Sequence, residues 1–133
     1  MNTAYSQYKK NSVFTSTPEE LTLMVYNGLV KFIMQGINSI EGENIEKANK
    51  CITKAQNIVF ELQASLDGRY EVAQGLDSLY DYMHRRLVEA NIDKDKDILE
   101  EVLGFAKDLR DTWQEAMKTA KIQNRRKKVV SNE

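Results

Sequence analysis

Histidine, cysteine, proline and tryptophan each occur once among these 133 residues, and glycine only six times. Each scarcity excludes something. With Cys51 alone there is no internal disulfide, and a reducing compartment, the cytoplasm, is expected. Cys51 also falls inside a regular helical pattern, which suits packing better than nucleophilic chemistry. With His84 as the sole imidazole, Ser-His-Asp and Cys-His-Asn arrangements would have to share one residue. The spacing Asp81-x-x-His84 offers one pair of ligands on a helix face, but a di-metal bundle needs two such pairs and two further carboxylates. His84 is read as a surface residue beside Arg85 and Arg86. No glycine-rich phosphate loop is present. No run approaches the ~20 apolar residues of a membrane span, and Met1-Asn2-Thr3-Ala4-Tyr5 has no apolar signal core. No catalytic residue, metal ligand or cofactor is therefore expected. One proline and few glycines leave helices as the expected structure, because sheets and turns need more breakers.

What is present is charge, unevenly spread. Aspartate, glutamate, lysine and arginine make up 29% of the chain, with a net charge of −1. Residues 121–133 hold Lys121, Arg125, Arg126, Lys127 and Lys128 against Glu133 alone, a net +4, so the first 120 residues carry −5. The mildly acidic body does not attract nucleic acid. No aromatic residue is interleaved with the basic run, so a solubilising, disordered tail is expected over 121–133.

Four amphipathic segments precede that tail. The first has a full helix start: Thr17 as N-cap, Pro18 at the first helical position, and Glu20 three residues on to complete a capping box. From Pro18 to about Ile40 it carries two apolar stripes. Leu21, Val25, Gly28, Leu29, Phe32 and Gly36 form one. Leu23, Tyr26, Val30, Ile33, Ile37 and Ile40 form the other, alternating by three and four on the roughly opposite side. Gly28 and Gly36 each cost a helix about 1 kcal/mol, which calls for a packing reason. Glu41-Gly42-Glu43-Asn44 is a tight connection, with Gly42 suited to a left-handed C-cap and Asn44 to the next N-cap. Ile45, Ala48, Ile52, Ala55, Val59, Leu62 and Leu66 then make one clean seam. A third helix, about Glu71 to Asn91, buries Val72, Leu76, Leu79, Tyr80, Met83 and Leu87. Asp93 or Asp95 caps a fourth, whose seam is Leu99, Val102, Ala106, Leu109, Trp113, Ala116 and Ala120. Short connections force these into an antiparallel up-down four-helix bundle over residues 17–120.

Residues 1–16 form an N-terminal arm that is polar yet carries Tyr5, Tyr8, Val13 and Phe14. Helix one has more apolar surface than one bundle face requires. Either the helix is central, or the arm covers the second stripe, or that stripe is a groove for a partner's amphipathic helix. The groove reading selects Leu23, Tyr26, Val30, Ile33 and Ile37, with Phe60 and Tyr82 as further off-seam apolar residues. A self-associating bundle that uses the same stripe to dimerise is the rival.

Four motifs then resemble one family. Thr17-Pro18-Glu19-Glu20-Leu21-Thr22-Leu23-Met24-Val25-Tyr26-Asn27-Gly28 with Lys31-Phe32 is similar to the signature of the FliS-type flagellin export chaperones. So are Lys54-Ala55-Gln56-Asn57-Ile58 through Ser65-Leu66-Asp67, Leu79-Tyr80-Asp81-Tyr82-Met83 with Arg85-Arg86-Leu87 and Ala90-Asn91, and Leu109-Arg110-Asp111-Thr112-Trp113. They stand in family order over about residues 5–117, and Bacillus-like members are an especially close fit. The resemblance implies an antiparallel bundle that binds the C-terminal helical region of flagellin in the cytoplasm. It implies that premature polymerisation is prevented and that flagellin is delivered to the type III export gate, whose components are further expected partners. The expected state is a monomer or weak dimer, with no nucleic acid bound and no direct membrane insertion. It also implies that the arm, through Tyr5 and Tyr8, occupies part of the partner surface when flagellin is absent. Asn27 stands where family members often carry Asp, and it joins the stripe, the arm and Tyr82 as an expected flagellin contact.

Overall fold

The computed structural model describes residues 15–131, with side chains to Val129. All regular structure among them is helical: α1 (Pro18–Glu41), α2 (Ile45–Ala64), α3 (Ala73–Asp93) and α4 (Lys96–Ser131). The arm residues Tyr5, Tyr8, Val13 and Phe14 lie outside the described residues. Each helix packs on its neighbours in the chain, and α1 closes the ring against α4. Short turns reverse the chain each time, so α1 and α3 are the parallel diagonal pair. This is the expected up-down bundle.

The helix ends follow local chemistry. Thr17 is extended (φ −70°, ψ 162°) and its hydroxyl accepts from the Glu20 amide at 3.2 Å. Asn44 caps α2 through the Lys47 amide, 3.1 Å. Of the two candidates before α4, Asp95 is the cap, accepting from the amides of Asp97 and Ile98 at 2.9 and 3.3 Å. The third helix starts two residues later than expected, at Ala73, because the chain first turns through Asp67-Gly68-Arg69. There the Asp67 carboxylate accepts from the Arg69 amide at 3.0 Å and pairs with its guanidinium at 2.7 Å.

The left-handed residue after α1 is Glu43 (φ 57°), not Gly42, whose φ is −82°. The amides of Glu43 and Asn44 bond to the carbonyls of Ile40 and Ser39 at 3.0 and 2.8 Å. That is a Schellman closure one residue beyond the glycine. A side chain in this region is strained, by about 1–2 kcal/mol. Glu43→Gly is therefore expected to stabilise the protein by up to about 1 kcal/mol. Chemical denaturation should show a higher midpoint with unchanged slope; a lower midpoint would mean the Glu43 side chain stabilises the turn in another way.

The core is built from Leu29, Ile33, Ile52, Val59, Tyr80, Met83, Leu87, Leu99 and Val102, all fully buried. Gly36 has its packing reason: a Cβ there would lie 3.2 Å from Ile52 Cγ1 and 3.4 Å from Leu99 Cδ1. One polar contact crosses the diagonal. The hydroxyls of Tyr26 on α1 and Tyr80 on α3 are 2.7 Å apart and buried. Burial pushes the Tyr80 phenol far above its ordinary range, and the bond to Tyr26 adds to this. Removing either hydroxyl strands the other in the core, at about 1–3 kcal/mol. Tyr26→Phe and Tyr80→Phe should each destabilise by roughly that amount, and the double variant by clearly less than their sum. Additive losses in a double-mutant cycle would show that the two hydroxyls do not support each other.

Two expectations are corrected here. The second stripe of helix one is core: Tyr26, Val30, Ile33 and Ile37 are all buried, and Leu23 is half-buried. The face toward α3 and α4 takes the large β-branched residues. The first stripe divides, with Leu29 and Gly36 buried, Phe32 and Gly28 half-buried, and Leu21 and Val25 exposed. A stripe containing two glycines cannot fill a bundle interior along its whole length, whereas one of tyrosine, valine and isoleucine can. The second correction concerns the tail: α4 runs on to Ser131. After Gly104 the chain has neither glycine nor proline, its lysines, arginines and glutamine are good helix formers, and cations suit a helix C-terminus.

Candidate partner-docking surface

Helix α1 meets α2 along a line that its own side chains leave partly open. Leu21, Thr22 and Val25 of α1 face Glu61 and Leu62 of α2 and its C-cap Ser65 across a shallow groove of about 270 Å3. Leu21 and Val25 remain 37% and 39% exposed, and Met24 on the adjoining ridge 38%. Further along the same stripe is Gly28, where among the described residues a Cβ would meet Ile58 Cδ1 alone, at 3.9 Å. Among the described residues Gly28 thus has no close neighbour comparable to those of Gly36, and its bare backbone leaves room for a second helix to approach closely. One turn beyond Gly28 is Phe32, with the ammonium groups of Lys31 and Lys54 at 5.4 and 5.1 Å from its ring centroid. The result is an aliphatic groove with one acidic lining residue, Glu61, and two cations beside Phe32 further along α1. Nothing in it is suited to bond making; it is suited to receive an apolar helix face.

Other depressions are less apt. One of about 500 Å3 beside the α2–α3 connection is walled by Gln63, Glu71, Gln74 and Asp77 as much as by Leu66 and Tyr70. A smaller one, about 170 Å3, opens between α1 and α4 at Met34, Ile37, Asn38, Glu100 and Leu103. Ile37 lines it, so here the expected stripe reaches a surface feature.

The remaining expected contacts are scattered. Asn27 is exposed on α1. Tyr82 belongs to the α3–α4 face, its hydroxyl donating to Glu101 at 3.0 Å and its ring meeting the edge of Phe105 at 6.1 Å. Arg86 pairs with the same Glu101 at 3.0 Å and with Glu89 at 2.7 Å. The Arg86 guanidinium, with a lesser contribution from the Tyr82 hydroxyl, holds the Glu101 carboxyl below the usual range. This lattice is consistent with a closed seam between α3 and α4, so Tyr82 is not brought to the α1 surface. Phe60 stands exposed on the outer face of α2, 6.5 Å from the His84 ring. Among the described residues no three His, Cys, Asp or Glu side chains converge as metal ligands, and no helix is long and apolar enough to cross a membrane.

The residues that sequence reasoning passed over are Leu21, Val25, Phe32, Ile58 and Leu62. The signal for them was present. Leu21 and Val25 share a stripe with two glycines, and Ile58 lies off the α2 seam.

Comparison with known proteins gives a consistent result. The family model described as "Flagellar protein FliS" matches residues 1–120. The flagellar secretion chaperone FliS of Bacillus subtilis is 46% identical over 115 residues, covering 86% of each chain. Its counterpart in Salmonella typhimurium is 31% identical over 127 residues, covering 92% of this chain and 94% of that one. A solved bacterial flagellar chaperone superposes with a TM-score of 0.72 over 87% of this chain and 96% of its own, at 18% identity, which speaks for the fold.

Proposed function

This chain belongs to the FliS family of flagellar proteins, and from that membership we propose that it is a chaperone of flagellar export whose client is the C-terminal helical region of flagellin. The observation that carries the reading is the α1–α2 groove, an aliphatic floor that the chain's own described helices leave uncovered. Bound there, a flagellin helix is withheld from polymerisation until it is handed to the export gate, and the whole cycle belongs in the cytoplasm. No covalent or nucleotide step is needed. Coupled folding of a client on such a surface typically buries ~1,000–3,000 Å2 and spends ~2–5 kcal/mol on ordering, which leaves an affinity moderate enough for release.

In this reading Leu21, Val25, Gly28, Phe32, Ile58 and Leu62 make the primary contacts. Asn27 lies at the edge, and Tyr26, Val30, Ile33 and Ile37 hold the helix in place from beneath. The arm residues Tyr5, Tyr8, Val13 and Phe14 compete for the same groove. Occupancy by the arm lowers apparent affinity by the fraction of sites it blocks. Removing residues 1–12 is accordingly expected to tighten the binding.

The test is titration of the full chain with a peptide spanning the flagellin C-terminal helices, with mass measured by light scattering. A monomer that takes one peptide supports the reading. An obligate dimer indifferent to the peptide supports the rival, a self-associating bundle. Identical affinity with and without residues 1–12 would remove the competition by the arm and leave the docking itself standing.

A further inference from the structure

The end of α4 serves neither the core nor the groove. Residues 121–129 are all exposed, and the family model stops at residue 120. The start of α1 borders α4 across a depression lined by Thr17, Glu19, Glu20, Met117, Ala120 and Lys121, with Asn124 its last lining residue on α4. Residues 125–131 therefore extend about 10 Å past that border at 1.5 Å per residue. This end holds Lys121, Arg125, Arg126, Lys127 and Lys128, against a net charge of −5 over the first 120 residues.

The helix sorts these residues by face. Ile122 and Val129, 50% and 63% exposed, are seven apart and so lie within about 20° of each other. Arg125 and Arg126 flank them at about 60° and 40° on either side, and Lys121 and Lys128 follow on the Arg125 side, all at about 100° per residue. Two aliphatic side chains thus stand inside a cationic strip.

We propose that this strip is a lipid-binding helix: residues 121–131 adsorb to an anionic phospholipid surface, cations against headgroup phosphates and Ile122 and Val129 seated between headgroups. Cationic helices of this kind gain affinity from both parts, roughly 1 kcal/mol for each basic residue near the surface. The aliphatic pair is what selects a membrane over a nucleic acid. A phosphate backbone offers Ile122 and Val129 nothing, and residues 121–129 contain no aromatic ring to stack on a base. The acidic body does not cancel the strip: Lys121 borders Glu19 and Glu20, while Arg125, Arg126, Lys127 and Lys128 all lie past Asn124, on the turns that leave the body. This inference is independent of client docking on the α1–α2 groove.

Co-sedimentation of the full chain with vesicles tests it, using an equal mixture of phosphatidylglycerol and phosphatidylcholine against phosphatidylcholine alone. Binding is expected only to the anionic vesicles and should fade as salt is raised. The variant Arg125→Gln/Arg126→Gln/Lys127→Gln/Lys128→Gln keeps good helix formers, and its circular dichroism should match the parent. Its partition should fall about a hundredfold or more. Ile122→Ser/Val129→Ser, with every charge retained, should lose about tenfold. Equal binding to both vesicles, undiminished binding by either variant, or preference for an RNA or DNA oligomer in direct competition would overturn the proposal.

Discussion

Val30→Asp is expected to unfold the bundle. Val30 is 5% exposed and stands in a cluster with Leu29, Ile33, Tyr80 and Met83, all of them at or near zero exposure. The described cluster around it is entirely apolar apart from the Tyr80 hydroxyl and offers a carboxylate no cation, and the cost of an unpaired buried charge is several kcal/mol. The total stability of a domain this size is ~5–15 kcal/mol, so one such change removes most of it. The pH dependence distinguishes this cause from a simple packing fault. Burial raises the folded-state pKa of the introduced carboxyl above its unfolded value of about 3.9. The neutral form is the tolerated one, so the variant's deficit is smallest below that value and grows as pH rises through the neutral range. Thermal melts at acid and neutral pH should show the gap from the parent widening upward. Ile37→Asp, at 8% exposure, should behave likewise. A variant that stays folded at neutral pH yet fails to bind a client would return this stripe to the surface and overturn its place in the core.

How much of this was legible in the chain depends on which physical term decided each feature. Helix existence and order were written in local terms: the Thr17-Pro18-Glu20 start and the Asn44 cap appear where the residues indicated, and the seams are buried from Ala48 to Val59 in α2 and from Leu99 to Ala106 in α4, while Ile45, Ala116 and Ala120 at their ends are exposed. Boundaries shifted where a tertiary or turn geometry competed. Asp67 and Arg69 hold a turn that delays α3 to Ala73, and the Schellman closure moves the left-handed residue from glycine to Glu43. The facing of α1 was not legible from periodicity. Both of its stripes satisfy a helical repeat, and which one turns inward is set by the volume the other three helices leave. Gly28 and Gly36 were the usable signal, and only the structure separates them: Gly36 admits close approach of Ile52 and Leu99, while among the described residues Gly28 meets only Ile58. The extension of α4 was missed for the opposite reason. Amphipathic periodicity detects helices that bury a face, and residues 121–129 bury none.

Substituting the groove should separate docking from folding in a way the buried stripe cannot. Leu21 and Val25 are over a third exposed, and changes at such sites usually move stability within about 0.5 kcal/mol. Leu21→Asp/Val25→Asp should therefore melt close to the parent and keep its helix content. Its effect on the client should be large. A docked helix places its apolar residues against these two side chains, and burying a new carboxylate against them opposes association directly. Losses of 2 kcal/mol or more are usual for the central contacts of such an interface, about thirtyfold in affinity or beyond. Phe60→Asp is the control, because Phe60 is more exposed than either, at 59%, yet lies on the outer face of α2 near His84. If exposure alone governed binding, Phe60→Asp would be the more harmful change. If the groove governs it, calorimetry with the flagellin peptide should find Phe60→Asp unchanged and Leu21→Asp/Val25→Asp severely weakened. The reverse result would place the client on α2 and α3. Equal, small effects from both would leave the depression at Met34 and Leu103, between α1 and α4, as the surface to alter next.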